Sequence, residues 1–332
     1  MDELDFVAIG DITTDEFIQL RSDRAMVSKD LSGRNVLSMY FGDKLEFENA
    51  INVPAVGNSP NAAVSANRLG LKTGLVTDIG NDEGGKEITQ WLEKEGIDTR
   101  FVDVQEGKET NHHYVLRYGP ERTILIKHEK YDYIVPEMGS PKWIYFSSIG
   151  EHGIQYHHDI AQYVQAHKGT KLSFQPGSFQ ILLGHEALKD VYEACELFFC
   201  DKEEAQQILA TDESDIPELL KRMKELGPTI PVITDGPQGA YALADDGVWH
   251  MPMYPDPAPP VDRTGAGDAF SSTFTSALAL GHDIPTALRW GPINSMSVVQ
   301  YVGAQEGLLT RAQLEDYLAK APADYVARKI SE

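Results

Sequence analysis

Short apolar runs that end in Gly, Asp, Ser or Pro alternate with helical patterns along most of the chain, and few folds accommodate that alternation. The runs are FVAIG (6–10), GLVTDIG (74–80), KWIYFSS (142–148), KLSFQP (171–176), ELFFC (196–200) and IPVITDG (230–236). Helical patterns lie between them at NAAVSANRLG (61–70), GKEITQWLEKEG (85–96), EEAQQIL (203–209) and DIPELLKRMKELG (215–227). This is the signature of stacked β-α units on a largely parallel sheet. The expected fold class is α/β, with three layers and a mostly parallel central sheet. The chain has 332 residues, 42% of them apolar, which supports one large core and a single domain over 1–332.

Two regions interrupt the alternation. Residues 16–56 are charge-rich and alternating without a clear helix, and residues 111–130, NHHYVLRYGPERTILIKHEK, read as two strands around a Gly119-Pro120 turn. Both are too polar for the central sheet. They suit a small β-sheet lid over one end of the domain, a usual place for substrate contacts. The same segments are candidates for pairing two subunits as a homodimer, which would cover an exposed sheet edge.

The stretch VDRTGAGDAF, Val261 to Phe270, carries the chemistry. Apolar or small residues at Ala269, Phe270, Phe274, Ala277 and Leu278 form a helical stripe with Gly281 as its stop, so the helix starts within TGAGD. The first N–H groups of a helix have no partners inside it and sit at the positive end of its dipole. Gly265, Ala266 and Gly267 leave room for an anion to reach them. Asp268 follows directly. A carboxylate beside a bound phosphate repels it, and its natural use is to accept the proton of a hydroxyl that attacks phosphorus. The plainer reading, a helix start with a stabilising acid, stands beside this one. Two other glycine patterns fail: GNDEGGKE (80–87) has Glu87 where a phosphate loop needs Ser or Thr, and GAGDAF lacks the third glycine of a dinucleotide fingerprint.

The string Asp262-Arg263-Thr264-Gly265-Ala266-Gly267-Asp268-Ala269-Phe270 resembles the C-terminal signature D-T-T-G-A-G-D-x-F of the PfkB, or ribokinase-like, family of carbohydrate and nucleoside kinases, with Arg263 as its one departure. The resemblance continues along almost the whole chain. It implies a ribokinase-like α/β/α domain with a β lid, ATP and Mg²⁺ as cofactors, Asp268 as general base and the Gly265–Gly267 helix start as anion hole. In GDITTD (10–15) it places Asp15 on acceptor hydroxyls. In VGNSPNAAVSANRLG it places Gly57, Asn58 and Asn61 at the substrate, with Val56 in place of a glycine. CDKEEA is similar to an N-x-x-E element, so Glu204, with Asp201 where Asn is usual, would organise Mg²⁺ through water. ITDGPQGAYAL matches a nucleotide-lining segment at Thr234, Gly236 and Gly239, and Asn294 matches the adenine side. Asp262 falls at a position that implies K⁺ dependence. The implied activity is ATP-dependent phosphorylation of a sugar or sugar-like alcohol. A nucleoside kinase on the same fold is the alternative, and a non-catalytic sugar or nucleotide sensor the third reading.

Composition narrows the partners. A formal charge of −22 argues against nucleic acid or an anionic membrane, both of which are held by clustered Lys and Arg. No apolar run is long enough to span a bilayer, and the acidic MDELDFVAIG start lacks a signal peptide's basic region, so a cytoplasmic location is expected. Cys195 and Cys200 read as small buried hydrophobes in a reducing compartment. Arg117, Arg122 and Lys127 in the lid hairpin are solvated strand residues or contacts to an anionic acceptor, the former being the commoner case. His112, His113, His152, His157 and His158 read as surface or pocket histidines rather than metal ligands. Tyr114, Tyr118, Tyr131 and Tyr133 read as packing residues before nucleobase stackers.

Overall fold

Adjacent residues of the central strands belong to different cores, which defines the architecture. In the strand Phe6–Ile9, Phe6 and Ala8 join one apolar cluster, while Val7 and Ile9 join the other. Trp143 and Tyr145 likewise part from Ile144 and Phe146. Since successive side chains of a strand point to opposite faces, the sheet is covered on both. The structure, a computed structural model, describes residues 3–119 and 121–331.

Among the described residues the main sheet has ten strands. Seven are parallel, in the order Val102–Gln105, Thr73–Gly80, Phe6–Ile9, Trp143–Phe146, Lys171–Phe174, Cys195–Asp201 and Ile230–Thr234. Three antiparallel strands, Ala240–Ala244, Gly247–Met251 and Arg328–Ser331, extend it. Helices Asn58–Arg68, Ala266–Ala279 and Ile284–Val298 cover one face; Ile154–Ala166 and Ile216–Glu225 cover the other. Phe6–Ile9 lies between a strand later in the chain on each side, so the order reverses there. In open α/β sheets such a switch point opens a crevice at the carboxyl ends of the strands.

The helix Ala266–Ala279 is buried over Asp268–Ala277 even though that stretch contains five Ser and Thr residues. Back-bonds to the preceding turn satisfy much of this polarity: Thr275 Oγ1 donates to Ser271 O at 2.8 Å and Ser276 Oγ to Ser272 O at 2.7 Å. The helix ends at Gly281, whose φ is +88°.

A separate four-stranded sheet, ordered Phe47–Val56, Thr13–Leu20, His112–Tyr118, Glu121–Leu125, takes up both interrupting regions. Thr13–Leu20 runs parallel to His112–Tyr118, and the other pairs are antiparallel. The expected turn between the last two strands includes Pro120, which lies outside the described residues. Met26–Lys29 and Asn35–Ser38 form a further small ribbon. The antiparallel extension of the main sheet and the helix Ile284–Val298, which carries Pro292 in its interior, are additions to the sequence reading.

Candidate active site

Gly265 caps the helix in the left-handed conformation, with φ +79°, and the first helical bond is Ala269 N–H to Gly265 C=O at 2.8 Å. The N–H groups of Ala266, Gly267 and Asp268 therefore have no helical partner. The two glycines serve different ends. A Cβ on Gly265 would come within 2.3 Å of Ala304 Cβ, whereas one on Gly267 would meet only Gln175 Nε2, at 3.7 Å. Gly265 makes the turn possible; Gly267 keeps the space above the N–H groups clear.

Two cavities meet at this helix start. The first, of about 320 Å³, is lined by Thr13, Asp15, Phe17, Gly57, Asn58, Asn61, His113, Arg122 and the run Arg263–Asp268. The second, of about 330 Å³, is more apolar, with Met253, Pro260, Phe270, Pro292, Met296 and Val299 beside Thr234, Gly236 and Gly239. Arg263, Ala266 and Gly267 belong to both. Asp268 belongs to the first alone.

Asp268 is 8% exposed and held by three neutral amides. Asn58 Nδ2 donates to Oδ1 at 2.7 Å, Gln175 Nε2 to Oδ1 at 3.1 Å and Asn61 Nδ2 to Oδ2 at 2.8 Å. Burial pushes the carboxyl above the usual aspartate range, and the three donors pull it only partly back. Asn61 is fixed in turn, because its Oδ1 accepts from Gln305 Nε2 at 3.0 Å. Asn58 and Asn61 line the first cavity, and each gives one of its two amide N–H groups to the carboxylate.

Another part of that cavity's wall is polar and unsatisfied. Asp15 Oδ1 lies 3.3 Å from His113 Nδ1, and neither Asp15 Oδ1 nor His113 Nε2 has a hydrogen-bond partner among the described residues. Behind them, Asp11 accepts from Tyr133 Oη at 2.8 Å and from Gly150 N at 2.9 Å.

Several expected site residues are placed differently. Asn294 is fully buried and lines neither cavity. Its Nδ2 donates to Thr273 Oγ1 at 2.8 Å and its Oδ1 accepts from Leu309 N at 2.9 Å, so its amide joins a neighbouring helix to the loop at Leu309. Asp262 accepts from Thr264 N and Oγ1 at 2.9 and 2.7 Å and from Gly303 N at 3.1 Å, with Arg122 Nη1 at 3.6 Å. Burial alone would raise its carboxyl; those donors and the guanidinium hold it below the usual range. A carboxylate so engaged staples two loops.

Asp201 and Glu204 form a reciprocal helix cap: Glu204 N donates to Asp201 Oδ1 at 2.7 Å and Asp201 N to Glu204 Oε2 at 2.9 Å. Burial pushes Glu204 up to about 7; the Asp201 N–H opposes the shift, and the charges of Asp201 and Asp268 add to it. Among the described residues no group of three His, Cys, Asp or Glu could hold a metal directly. Neither Asp201 nor Glu204 lines either cavity, but Glu204 is near enough to Asp268 for their charges to interact, which fits contact with a phosphate-borne Mg²⁺ through water, since that ion keeps much of its water shell.

The remaining assignments divide. Arg122 is exposed on its strand and also lines the first cavity, whereas Lys127 meets Glu109 on the surface. His157 is buried, and His158 pairs with Asp190. Tyr133 stacks on His152 and Tyr156, a packing role. Both cysteines are buried and free. Sequence reasoning missed Gln175 and Tyr145. The available signal was position, since Gln175 directly follows the strand Lys171–Phe174 at the carboxyl edge of a parallel sheet.

Comparisons with known proteins agree with this geometry. The description pfkB family carbohydrate kinase matches residues 38–311. The chain is 29% identical over 272 residues to a ribokinase of Bacillus subtilis, covering 79% of this chain and 87% of that protein. It is 26% identical over 256 residues to a nucleoside kinase of Methanothermobacter thermautotrophicus, covering 76% and 80%. Its fold is similar to the crystal structure of Methanocaldococcus jannaschii nucleoside kinase, with TM-score 0.78 and 18% identity over 96% of this chain and 99% of that one. An Arabidopsis thaliana ribokinase, solved with ribose and ATP, gives TM-score 0.78 and 18% identity over 95% and 99%. No described helix is long and apolar enough to cross a membrane. With the family match spanning most of the chain and including the helix start at Gly265, this protein belongs to the pfkB family of carbohydrate kinases.

Proposed function

We propose that the protein transfers the γ-phosphoryl group of ATP to a hydroxyl of a sugar or sugar-like acceptor. One observation carries this reading: a helix N-terminus with free N–H groups is the common wall of two cavities, and its only carboxylate faces one of them. The apolar cavity, with Thr234, Gly236 and Gly239, takes the nucleotide. The polar one takes the acceptor, with Asp15 and His113 as its distant hydroxyl partners.

In the proposed reaction Asp268 accepts the hydroxyl proton as the acceptor oxygen attacks phosphorus. The N–H groups of Ala266, Gly267 and Asp268 stabilise the charge on the transferring group. Arg263, on the wall of both cavities, adds positive charge at the crossing point. Glu204 is the side chain that would hold, through water, a Mg²⁺ brought by ATP, and that ion would offset phosphate charge. The four-stranded sheet acts as a lid that excludes water.

The lid is also proposed as the face of a homodimer. Its segments leave Phe41, Phe47, Ile51, Leu125 and Ile126 exposed. They carry nine Lys or Arg against eight Asp or Glu, in a chain of charge −22. A near-neutral apolar face lets two acidic copies meet.

A nucleoside acceptor is the second reading, favoured by the nucleoside kinase among the relatives and by Phe17 in the acceptor cavity. A sensor has no use for a carboxylate clasped at the anion hole. The test is a coupled ADP-formation assay with Mg²⁺, screening sugars, sugar acids, sugar phosphates and nucleosides. Turnover with a sugar supports the first reading, and turnover with nucleosides alone supports the second. ATP binding without turnover across the panel would return the sensor.

A further inference from the structure

Gln175 makes the one contact to Asp268 that comes from the strand layer. It follows Lys171–Phe174, and its side chain lies beside Gly267. Its Oε1 accepts from Tyr145 Oη and lies 2.8 Å from Ser271 Oγ, whose single proton is shared between it and Gly267 O. Both hydroxyls are buried. That fixes the amide: reversed, it would set its own carbonyl against the Asp268 carboxylate. Nε2 is thereby directed at Asp268 Oδ1.

The two oxygens of Asp268 are not equivalent. Oδ1 accepts from both Asn58 and Gln175, which uses its two lone pairs, while Oδ2 accepts from Asn61 alone. From this geometry we infer that Gln175 is a positioning residue for phosphoryl transfer, saturating Oδ1 so that Oδ2 is the atom that receives the acceptor's proton. This rests on the proposed role of Asp268 as base. In the step, the acceptor O–H bond breaks and its proton goes to Oδ2. The freed electron pair forms the bond to the γ-phosphorus of ATP, and the bond from that phosphorus to the bridging oxygen breaks, leaving ADP.

A neutral amide suits this role. A cation at the same place would orient Asp268 equally well but would lower its basicity, whereas an amide lowers it less. The other titratable or charged groups around Asp268 are Tyr145 from the strand Trp143–Phe146, Glu204 from the helix Lys202–Ile208, and Asp15, His113, Arg122 and Arg263 from the acceptor cavity. Removing Gln175 leaves all of those charges in place. It frees Oδ1 and loosens the carboxylate.

The test reads Asp268 directly, with no acceptor present. In protein labelled with ¹³C at the aspartate carboxyls, the Asp268 signal is the one missing from D268N, and its titration is followed in wild type, Q175L and Y145F. The expected result is an upward shift of the Asp268 midpoint in Q175L by about half a pH unit or more, with a smaller shift in the same direction in Y145F, which loosens Gln175 without removing it. With any acceptor the wild type turns over, Q175L lowers kcat by about tenfold or more at pH 6. The loss is smaller at pH 8.5, and KM for ATP stays within about twofold because Gln175 does not line the nucleotide cavity. Asp268 midpoints unmoved in both variants, with melting temperatures retained, overturn the inference. Midpoints that move while D268N turns over at the wild-type rate overturn the base reading instead, and with it any catalytic meaning of the contact.

Discussion

At the level of single residues, the glycines of the helix start separate stability from chemistry. Gly265→Ala puts a Cβ into Ala304 at a positive φ and is expected to destabilise by about 2–4 kcal/mol, the sum of left-handed strain and overpacking. Gly267→Ala meets no such obstacle. It should keep the melting temperature and lower kcat by about 10–10²-fold, because its methyl group stands over the donors that stabilise the transferring phosphoryl group. Thermal denaturation and steady-state rates on the two variants check this; equal melting temperatures would contradict the assigned roles. Asp268 and this helix start were legible in the sequence because a glycine-rich turn, a free helix end and a carboxylate lie within one short string. Gln175 was not, since it reaches Asp268 from 93 residues away and nothing local marks a glutamine as a partner of a distant carboxylate. The placement of Asn294 was missed for the opposite reason. Motif position aligned it with a nucleotide edge, but only packing shows that its amide is engaged by Thr273 of the neighbouring helix and by the backbone at Leu309.

At the level of elements, the strand Glu121–Leu125 of the small sheet reaches the body through Arg122, whose guanidinium stands 3.6 Å from Asp262. Arg122 is exposed, so its ion pair contributes little to stability. Its importance lies in where it sits: it lines the acceptor cavity and is absent from the nucleotide cavity. Arg122→Ala is therefore expected to raise KM for the acceptor by about three- to tenfold while leaving KM for ATP unchanged, and a change confined to ATP would reverse the assignment of the two cavities. The central strands and their helices were readable because a strand covered on both faces is apolar throughout. Alternation likewise exposed the polar excursions that form the second sheet. Which of its arginines reaches the acceptor cavity was not readable, because Arg117 and Arg122 are paired across one hairpin and differ in what the rest of the fold brings near them.

For the whole molecule, buried acids set how stability varies with pH. Asp78 is pushed up to about 7 by burial and by the charges of Asp103 and Asp11, against a donor from Gln105. An acid raised in the folded state favours folding below its unfolded value of about 3.9, and that contribution is lost as pH rises through its folded value. Asp78→Asn should thus gain on wild type as pH climbs from about 4 to 7, reaching about 1–3 kcal/mol at pH 8. Urea denaturation at pH 5 and 8 measures this, and a difference that shrinks with rising pH would contradict it. The interface proposed on the four-stranded sheet predicts a dimer in solution by sedimentation equilibrium, made monomeric by Ile51→Glu; a monomeric wild type would refute it. The central claim is phosphoryl transfer with Asp268 as base, and the most direct measurement is the pH dependence of kcat for wild type beside D268N, with ATP, Mg²⁺ and the best acceptor. Because burial raises the carboxyl and only its ionised form accepts a proton, wild-type kcat should rise with pH through a midpoint above the ordinary 3.8 of aspartate and then stay flat. D268N should remain folded, fall by at least about 10²-fold and lose that acidic limb. A folded D268N with wild-type kcat and the same limb would show that another group takes the proton.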